Sequence, residues 1–127
     1  MRGTLIDQPV DMLDLATADM RLRAAGAGLL ELLDEEWTLA ANDLHIDRCL
    51  QARTLLAIYH TNEVATDVTS TAHRLTGGQA AYNDSRILRA LRDVHTARQH
   101  MLFARGLATR LAPIATGIDV AAPPFVV

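Results

Sequence analysis

The segment "TAHRLTGGQAAYNDSRILRALRDVHTARQH", residues 71–100, predicts the turn between two helices. Gly77 and Gly78 are expected to end the first helix, because glycine adopts the left-handed conformation of a helix terminus without a Cβ penalty. The side chains of "NDS" at 83–85 can cap the next helix a few residues later. Helices joined by so short a connection pack side by side in opposite directions. The corner therefore predicts an antiparallel helical bundle.

Apolar residues spaced three and four apart extend this prediction along the chain. They indicate helices over 11–41, 43–76 and 85–112, with Asn42 or Asp43 capping the second helix and Pro113 stopping the third. Residues 1–10 are expected to form an extended lead-in and residues 113–127 a tail. We expect a single all-α domain over 1–127, an antiparallel up-and-down bundle of three long helices that leaves room for a short fourth.

Composition excludes several classes of protein. Half of the 127 residues are apolar and the net charge is -3, with arginines interleaved among acidic residues, so nucleic acid is not an expected partner. A single cysteine, Cys49, cannot form an internal disulfide, and the amino terminus does not resemble a signal peptide. No run of about eighteen apolar residues suits a membrane span. A cytoplasmic protein that binds neither nucleic acid nor membrane is expected.

The histidines do not form a recognisable metal motif. Di-iron bundles use paired Glu-x-x-His motifs, and this sequence contains none. His95 and His100 are five residues apart and diverge around a helix, whereas His60 and Glu63 make one isolated pair. No motif of a nucleophilic enzyme surrounds Cys49. We therefore expect no metal site and no catalytic triad.

Taken singly, the residues of the segment 71–100 admit two interpretations. Gly77 and Gly78 expose backbone N–H groups that can approach a phosphate, but they lack the spacing of the common nucleotide-binding fingerprints, and a plain helix end explains them as well. Arg89, Arg92 and Asp93 equally fit an exposed helical surface that is simply solvated.

The ordered combination is more specific than its parts. It consists of Arg74-Leu-Thr-Gly77-Gly78, then Tyr82, then Arg89-Ala-Leu-Arg92-Asp93, and then His100. This order resembles the carboxy-terminal helical domain of the acyl-CoA dehydrogenase superfamily, and within it the branch of flavin-dependent monooxygenases. The segment "LATADMRLRAAGAGLLELLD" at 15–34 is similar to the first helix of that domain, so the resemblance spans nearly the whole chain.

The resemblance implies a flavin cofactor, FAD or FMN. Arg74, Gly77 and Gly78 would contact the phosphate side of a flavin held in a neighbouring subunit. His100 would lie near the flavin ring, either as a general base or as a group that positions the reacting oxygen. Family members form tetramers through this bundle and carry an amino-terminal helical domain and a β-domain. Flavin is therefore expected only with those domains or with a partner chain that supplies them.

Two departures from the family pattern shape the functional hypothesis. Met101 occupies the position where the dehydrogenases often carry a catalytic glutamate, and a thioether cannot abstract a proton. Arg74 stands where a glutamine is common. The chain is thus expected to be a fragment or small subunit of a flavin-dependent oxidoreductase or monooxygenase, supplying half of a flavin site and an oligomer interface. The alternative is a non-catalytic helical oligomerisation module. Either way, apolar stripes this long predict a homodimer or homotetramer.

Overall fold

A computed structural model describes residues 8–77 and 85–127, and this part of the chain contains helices and no strand. Four α-helices follow one another: α1 (Pro9–Ala41), α2 (Arg48–Thr76), α3 (Arg86–Ala97) and α4 (Arg105–Ala115). A single 3₁₀ turn, Met101–Phe103, lies between α3 and α4. The predicted all-α class is confirmed.

Helix α2 is the central element, and α1 packs along one side of it. Asp14 near the start of α1 accepts a hydrogen bond at 2.8 Å from Arg74 near the end of α2. Arg21, two turns further along α1, pairs at 2.9 Å with Asp67, which lies earlier in α2. Because residue numbers rise along one helix as they fall along the other, the two helices are antiparallel.

The other side of α2 contacts α3, the 3₁₀ turn and α4. Arg98, just after α3, forms an ion pair at 2.7 Å with Glu63 in the middle of α2. Arg53 in the first half of α2 donates to the carbonyl of Ala115 at the end of α4, at 3.1 Å. The α3–α4 arm therefore also runs antiparallel to α2, and α2 lies between the arm and α1.

The third helix predicted over 85–112 is two helices. Helix α3 ends at Ala97, and extended backbone at His100 (ψ 143°) and Ala104 (ψ 128°) brackets the 3₁₀ turn. A continuous apolar stripe would have required Met101 to face α2, but Met101 is 56% exposed. The break instead lets α4 reorient and bury Leu111 against α2.

The start of α2 also differs from its prediction. Asp47, rather than Asn42 or Asp43, caps the helix, because its carboxylate accepts from the Leu50 N–H at 2.8 Å. Asn42 terminates α1, and its side-chain amide donates to the Thr38 carbonyl at 2.8 Å. Asp43 takes the left-handed conformation (φ 54°) that aspartate tolerates in such turns. The connection between the helices is consequently longer than predicted.

Other predicted helix ends are confirmed or shifted slightly. Gly77 ends α2 at the predicted position with a positive φ of 58°, but its ψ of −138° differs from the left-handed helical conformation that was expected. Ser85 caps α3 by accepting from the Leu88 N–H at 3.4 Å. Helix α1 begins at Pro9 rather than at residue 11, which agrees with the preference of proline for the first helical turn.

One cluster of buried apolar residues lies between α2, α4 and the chain that follows α4. Its members are Ala52, Leu111, Ile114, Ala115 and Val126. Residues 113–127 were predicted to be a tail, but residues 113–115 form the end of α4. Only the part after α4 is irregular, and it contributes Val126 to the core.

A glycine turn sends the chain from α4 back to α2. Pro113 lies inside α4 rather than at its end. The helix closes at Gly117 (φ 85°), whose N–H donates to the Ile114 carbonyl, while the Ile118 N–H donates to the Pro113 carbonyl, both at 2.9 Å. This is the Schellman arrangement of a helix end. Gln51 of α2 then pairs with both backbone groups of Val127, donating at 2.9 Å and accepting at 3.0 Å.

Candidate functional site

The glycine corner, defined here as Arg74 and Gly77 at the end of α2, occupies the position that its sequence predicts. The N–H of Gly77 donates to the Arg74 carbonyl. The Arg74 guanidinium donates to Asp14 at 2.8 Å, and its side chain remains 59% exposed. Gly78 and Tyr82 lie outside the described residues. The contact with Asp14 could not be predicted from the sequence, since it depends on the antiparallel packing of α1 against α2.

The glycine corner has the chemistry to contact a flavin phosphate. A guanidinium carries five N–H donors, and the contact with Asp14 uses one nitrogen, so further donors of Arg74 stay available. Gly77 has a positive φ of 58° and carries no side chain, which is the residue type that lets a ligand approach the backbone closely. The residues present therefore fit an anionic group at this end of α2.

His100 lies in the turn between α3 and α4, where it caps the 3₁₀ helix. Its Nδ1 accepts a hydrogen bond from the Leu102 N–H at 3.2 Å. Its ring contacts Phe103 edge-on, with the ring centroids 6.1 Å apart. A neutral imidazole that accepts at Nδ1 carries its proton on Nε2. In this arrangement the exposed imidazole offers an Nε2–H donor, with Nδ1 already occupied by the backbone.

His100 does not lie beneath Asp93 on the face of one helix, as seven residues of continuous helix would place it, because α3 ends at Ala97 and His100 follows a turn. His100 is also distant from the glycine corner. Fourteen residues of α2 separate Gly77 from Glu63, the partner of Arg98, which corresponds to about 20 Å of helix. One chain therefore places the glycine corner and His100 at opposite ends of α3.

The chain between α3 and α4, which contains His100, is called the histidine turn here. A cavity of about 420 Å³ lies beside it, between this connection and the middle of α2. Glu63, Arg98 and Arg105 supply its charged groups, and Tyr59 and Phe103 supply aromatic walls. Neither the motifs nor the apolar spacing of the sequence pointed to Arg98, Phe103 or Arg105. Their proximity depends on the break after α3, which the apolar pattern does not reveal.

Neither a metal centre nor a membrane span emerges from the described residues. Within 8–77 and 85–127, no three His, Cys, Asp or Glu side chains come together in a way that could hold a metal ion. No helix in these two ranges combines the length and the apolar character that crossing a bilayer requires.

Comparison with known proteins settles the family. The family described as acyl-CoA dehydrogenase, C-terminal domain, matches residues 2–105. The chain belongs to this family. The match spans the glycine corner and His100, and α4 lies almost entirely beyond it.

A curated relative of this acyl-CoA dehydrogenase C-terminal domain is indole-3-acetate monooxygenase from Pseudomonas putida. The two chains are 32% identical over 98 residues, which cover 76% of this chain and 25% of the relative. The domain thus spans about a quarter of the length of that relative. No solved structure matches the chain.

Proposed function

We propose that the chain is the carboxy-terminal domain, a fragment or a small subunit of a flavin-dependent oxidoreductase of the monooxygenase type. It would supply part of a flavin site and an oligomer interface. The observation that carries this proposal is the family match over residues 2–105, which includes both the glycine corner and the segment leading to His100. The similarity to a monooxygenase and the thioether of Met101 in place of a carboxylate favour oxygenase over dehydrogenase chemistry.

In this proposal, the residues near the start of α3 and those just after its end contact different parts of the flavin site. Arg74, Gly77 and Gly78 would hold the phosphate side of FAD or FMN bound by a neighbouring subunit or partner chain. The bound flavin would supply the redox chemistry. His100, which lies at the other end of α3, would donate a hydrogen bond from Nε2 to a reacting oxygen atom. The distance of about 20 Å between these ends suits contacts with two different parts of an assembly.

A flavin titration tests the role of the glycine corner. FAD and FMN are titrated into the chain mixed with a partner that carries the amino-terminal and β-domains. Arg74→Gln should weaken flavin binding by about 10-fold or more, because a charge-assisted hydrogen bond to phosphate is lost. Arg21→Gln is the matched control, since it breaks the other α1–α2 ion pair. Equal loss of affinity in both variants would refute the assignment.

The alternative function is a non-catalytic helical oligomerisation module, and the outer stripe of α1 favours it. Six exposed apolar residues of α1 follow helical spacing along one side of the helix, beside the side that contacts α2. We call this surface the outer stripe, and it consists of Met12, Leu15, Leu22, Leu30, Leu33 and Trp37. Asp19 interrupts the stripe, but it accepts a hydrogen bond from Arg23 at 2.9 Å, which raises the pKa of that guanidinium. Apolar surface of this kind marks association with another protein surface.

The same stripe is compatible with the first proposal, because a flavin enzyme of this type also needs an oligomer interface. We propose that a second copy of the chain covers it, in a homodimer or homotetramer. Flavin binding in the presence of a partner chain distinguishes the two functions. An assembly that forms but never binds FAD or FMN would favour the module.

A further inference from the structure

The side of α1 that carries the outer stripe has the same spacing in both directions from Gly26. Positions four, seven and eleven residues away on either side share one side of the helix, since these steps are close to whole turns. The residues before the glycine are Leu22, Asp19 and Leu15, and those after it are Leu30, Leu33 and Trp37. A two-fold interface joins the same surface of two copies, so it requires spacing that matches itself when reversed. The outer stripe meets this requirement.

The packing inside the chain does not explain why residue 26 is glycine. A glycine in the middle of a helix destabilises that helix relative to alanine. Apart from the adjacent backbone of α1, no atom in the described ranges lies within 4 Å of a Cβ placed at Gly26. The missing side chain instead leaves the backbone of α1 uncovered at the centre of symmetry of the stripe. A second helix can approach closely at this point.

We propose that two copies of the chain pair through antiparallel α1 helices that cross at Gly26. Leu22 of each copy then packs against Leu30 of the other copy. Leu15 packs in the same way against Trp37. A second copy is the partner that the stripe fits, because an unrelated protein surface would not require symmetric spacing. The pairing rests on the oligomer interface of the proposed function, and it specifies which residues meet there.

The outer contacts of this pair are large and leave no isolated charge. Trp37 is 75% exposed, the highest value in the outer stripe, and aromatic side chains of this kind dominate the energetics of interfaces. From Leu15 to Trp37 the helix extends over about 33 Å, roughly the diameter of a small domain. Asp19 faces Leu33 of the other copy, and its carboxylate is already paired with Arg23 at 2.9 Å.

The register also brings the second copy to the glycine corner. Leu15 follows Asp14, which accepts the hydrogen bond from Arg74. Because Trp37 of the second copy packs against Leu15, it lies within about one helical turn of this ion pair. Each glycine corner therefore borders the end of α1 of the other copy.

Disulfide cross-linking of single-cysteine variants tests the register. Cys49→Ser removes the one native thiol. In this background, Gly26→Cys should form a disulfide-linked dimer under mild oxidation, because residue 26 of each copy lies at the crossing. Leu22→Cys and Leu30→Cys should each form little dimer alone but should cross-link when the two variants are mixed. Ala27→Cys, exposed on another side of α1, should cross-link about 10-fold more slowly than Gly26→Cys.

A side chain at the crossing provides a second measurement. Gly26→Leu should raise the dimer dissociation constant by about 10-fold or more, because the added side chain holds the two helices apart. Its helix content should not fall, since leucine favours a helix more than glycine does. Ala27→Leu is the matched control and should leave the dissociation constant within about 2-fold. Sedimentation equilibrium measures both variants, and a dimer of Gly26→Leu as tight as the wild type would overturn the pairing.

The remaining outcomes separate the pairing from the proposed function. Self-linking of Leu30→Cys as fast as that of Gly26→Cys would overturn the antiparallel register, because only a parallel or unspecific contact brings residue 30 to itself. A wild-type dimer in which Gly26→Cys does not cross-link would also overturn it, but would leave the proposed oligomer interface standing. A monomeric wild-type chain would remove both. Flavin binding with a partner chain is measured in a separate titration and does not depend on any of these results.

Discussion

The roles of the two ring nitrogens of His100 can be separated experimentally. Nδ1 accepts from the Leu102 N–H, whereas Nε2 has no hydrogen-bond partner within residues 8–77 and 85–127. In His100→Asn, the amide oxygen can take over the acceptor role of Nδ1, and no group replaces Nε2. We expect the thermal midpoint of the chain to stay within about 1 °C, whereas oxygenase turnover in a complex with the flavin-binding partner falls by about 100-fold or more.

His45→Asn is the control for this prediction, since His45 is exposed in the connection between α1 and α2. It should change neither quantity. A fall of several degrees in the midpoint of His100→Asn, with turnover retained, would assign His100 to structure rather than to chemistry.

Residues whose role depends on their immediate neighbours were predictable from the sequence. Gly77 and Ser85 lie at helix ends as expected, because the conformational freedom of glycine and the short side chain of serine act within one helical turn. The location of His100 was not, since it depends on where α3 stops. The position of Arg105 beside the cavity could not be predicted for the same reason, because only the turn after α3 brings it next to Arg98.

Among the described helices, α1 carries the most exposed large apolar side chains. The outer stripe remains exposed although α2 covers the neighbouring side of the helix. Leu30→Gln should therefore weaken self-association by about 10-fold or more, because a leucine buried at an interface loses roughly 1.5 to 3 kcal/mol of hydrophobic stabilisation. Sedimentation velocity over a series of concentrations measures the change.

Leu13→Gln provides a matched control within the same helix. Leu13 is 66% exposed and Leu30 is 67% exposed, but Leu13 lies outside the outer stripe. Its substitution should leave the sedimentation profile unchanged. A wild-type chain that stays monomeric at micromolar concentration would contradict the proposed interface altogether.

The helices themselves were predictable, but the break in the third one was not. Leu91, Val94, Met101 and Leu111 continue the helical spacing through the region where the helix stops. Apolar spacing records which residues suit burial, and it carries no information on whether one rigid helix can bring them all to the same neighbour. In the folded chain, two shorter helices each adjust to α2, and Met101 is left at the surface between them.

The family resemblance associates flavin binding with a β-domain, and residues 8–77 and 85–127 contain no strand. We therefore expect the purified 127-residue chain to be colourless and to bind free FAD or FMN weakly or not at all. Fluorescence titration with FMN measures this directly, and addition of a partner chain that carries an amino-terminal helical domain and a β-domain should restore binding. Tight, stoichiometric binding of flavin by the chain alone would show that it needs no partner.

The return of the chain to α2 after Gly117 governs the order in which the protein can fold during synthesis. Gln51 and Val127 are 76 residues apart, and the core joins Ala52 to Val126. The α1–α2 hairpin leaves the ribosome first, and roughly 50 further residues, about 3 to 10 s of translation, must follow before the core can close. Throughout that interval, the face of α2 that will contact α4 is open to water. Apolar surface exposed in a nascent chain favours association with other chains before folding is complete.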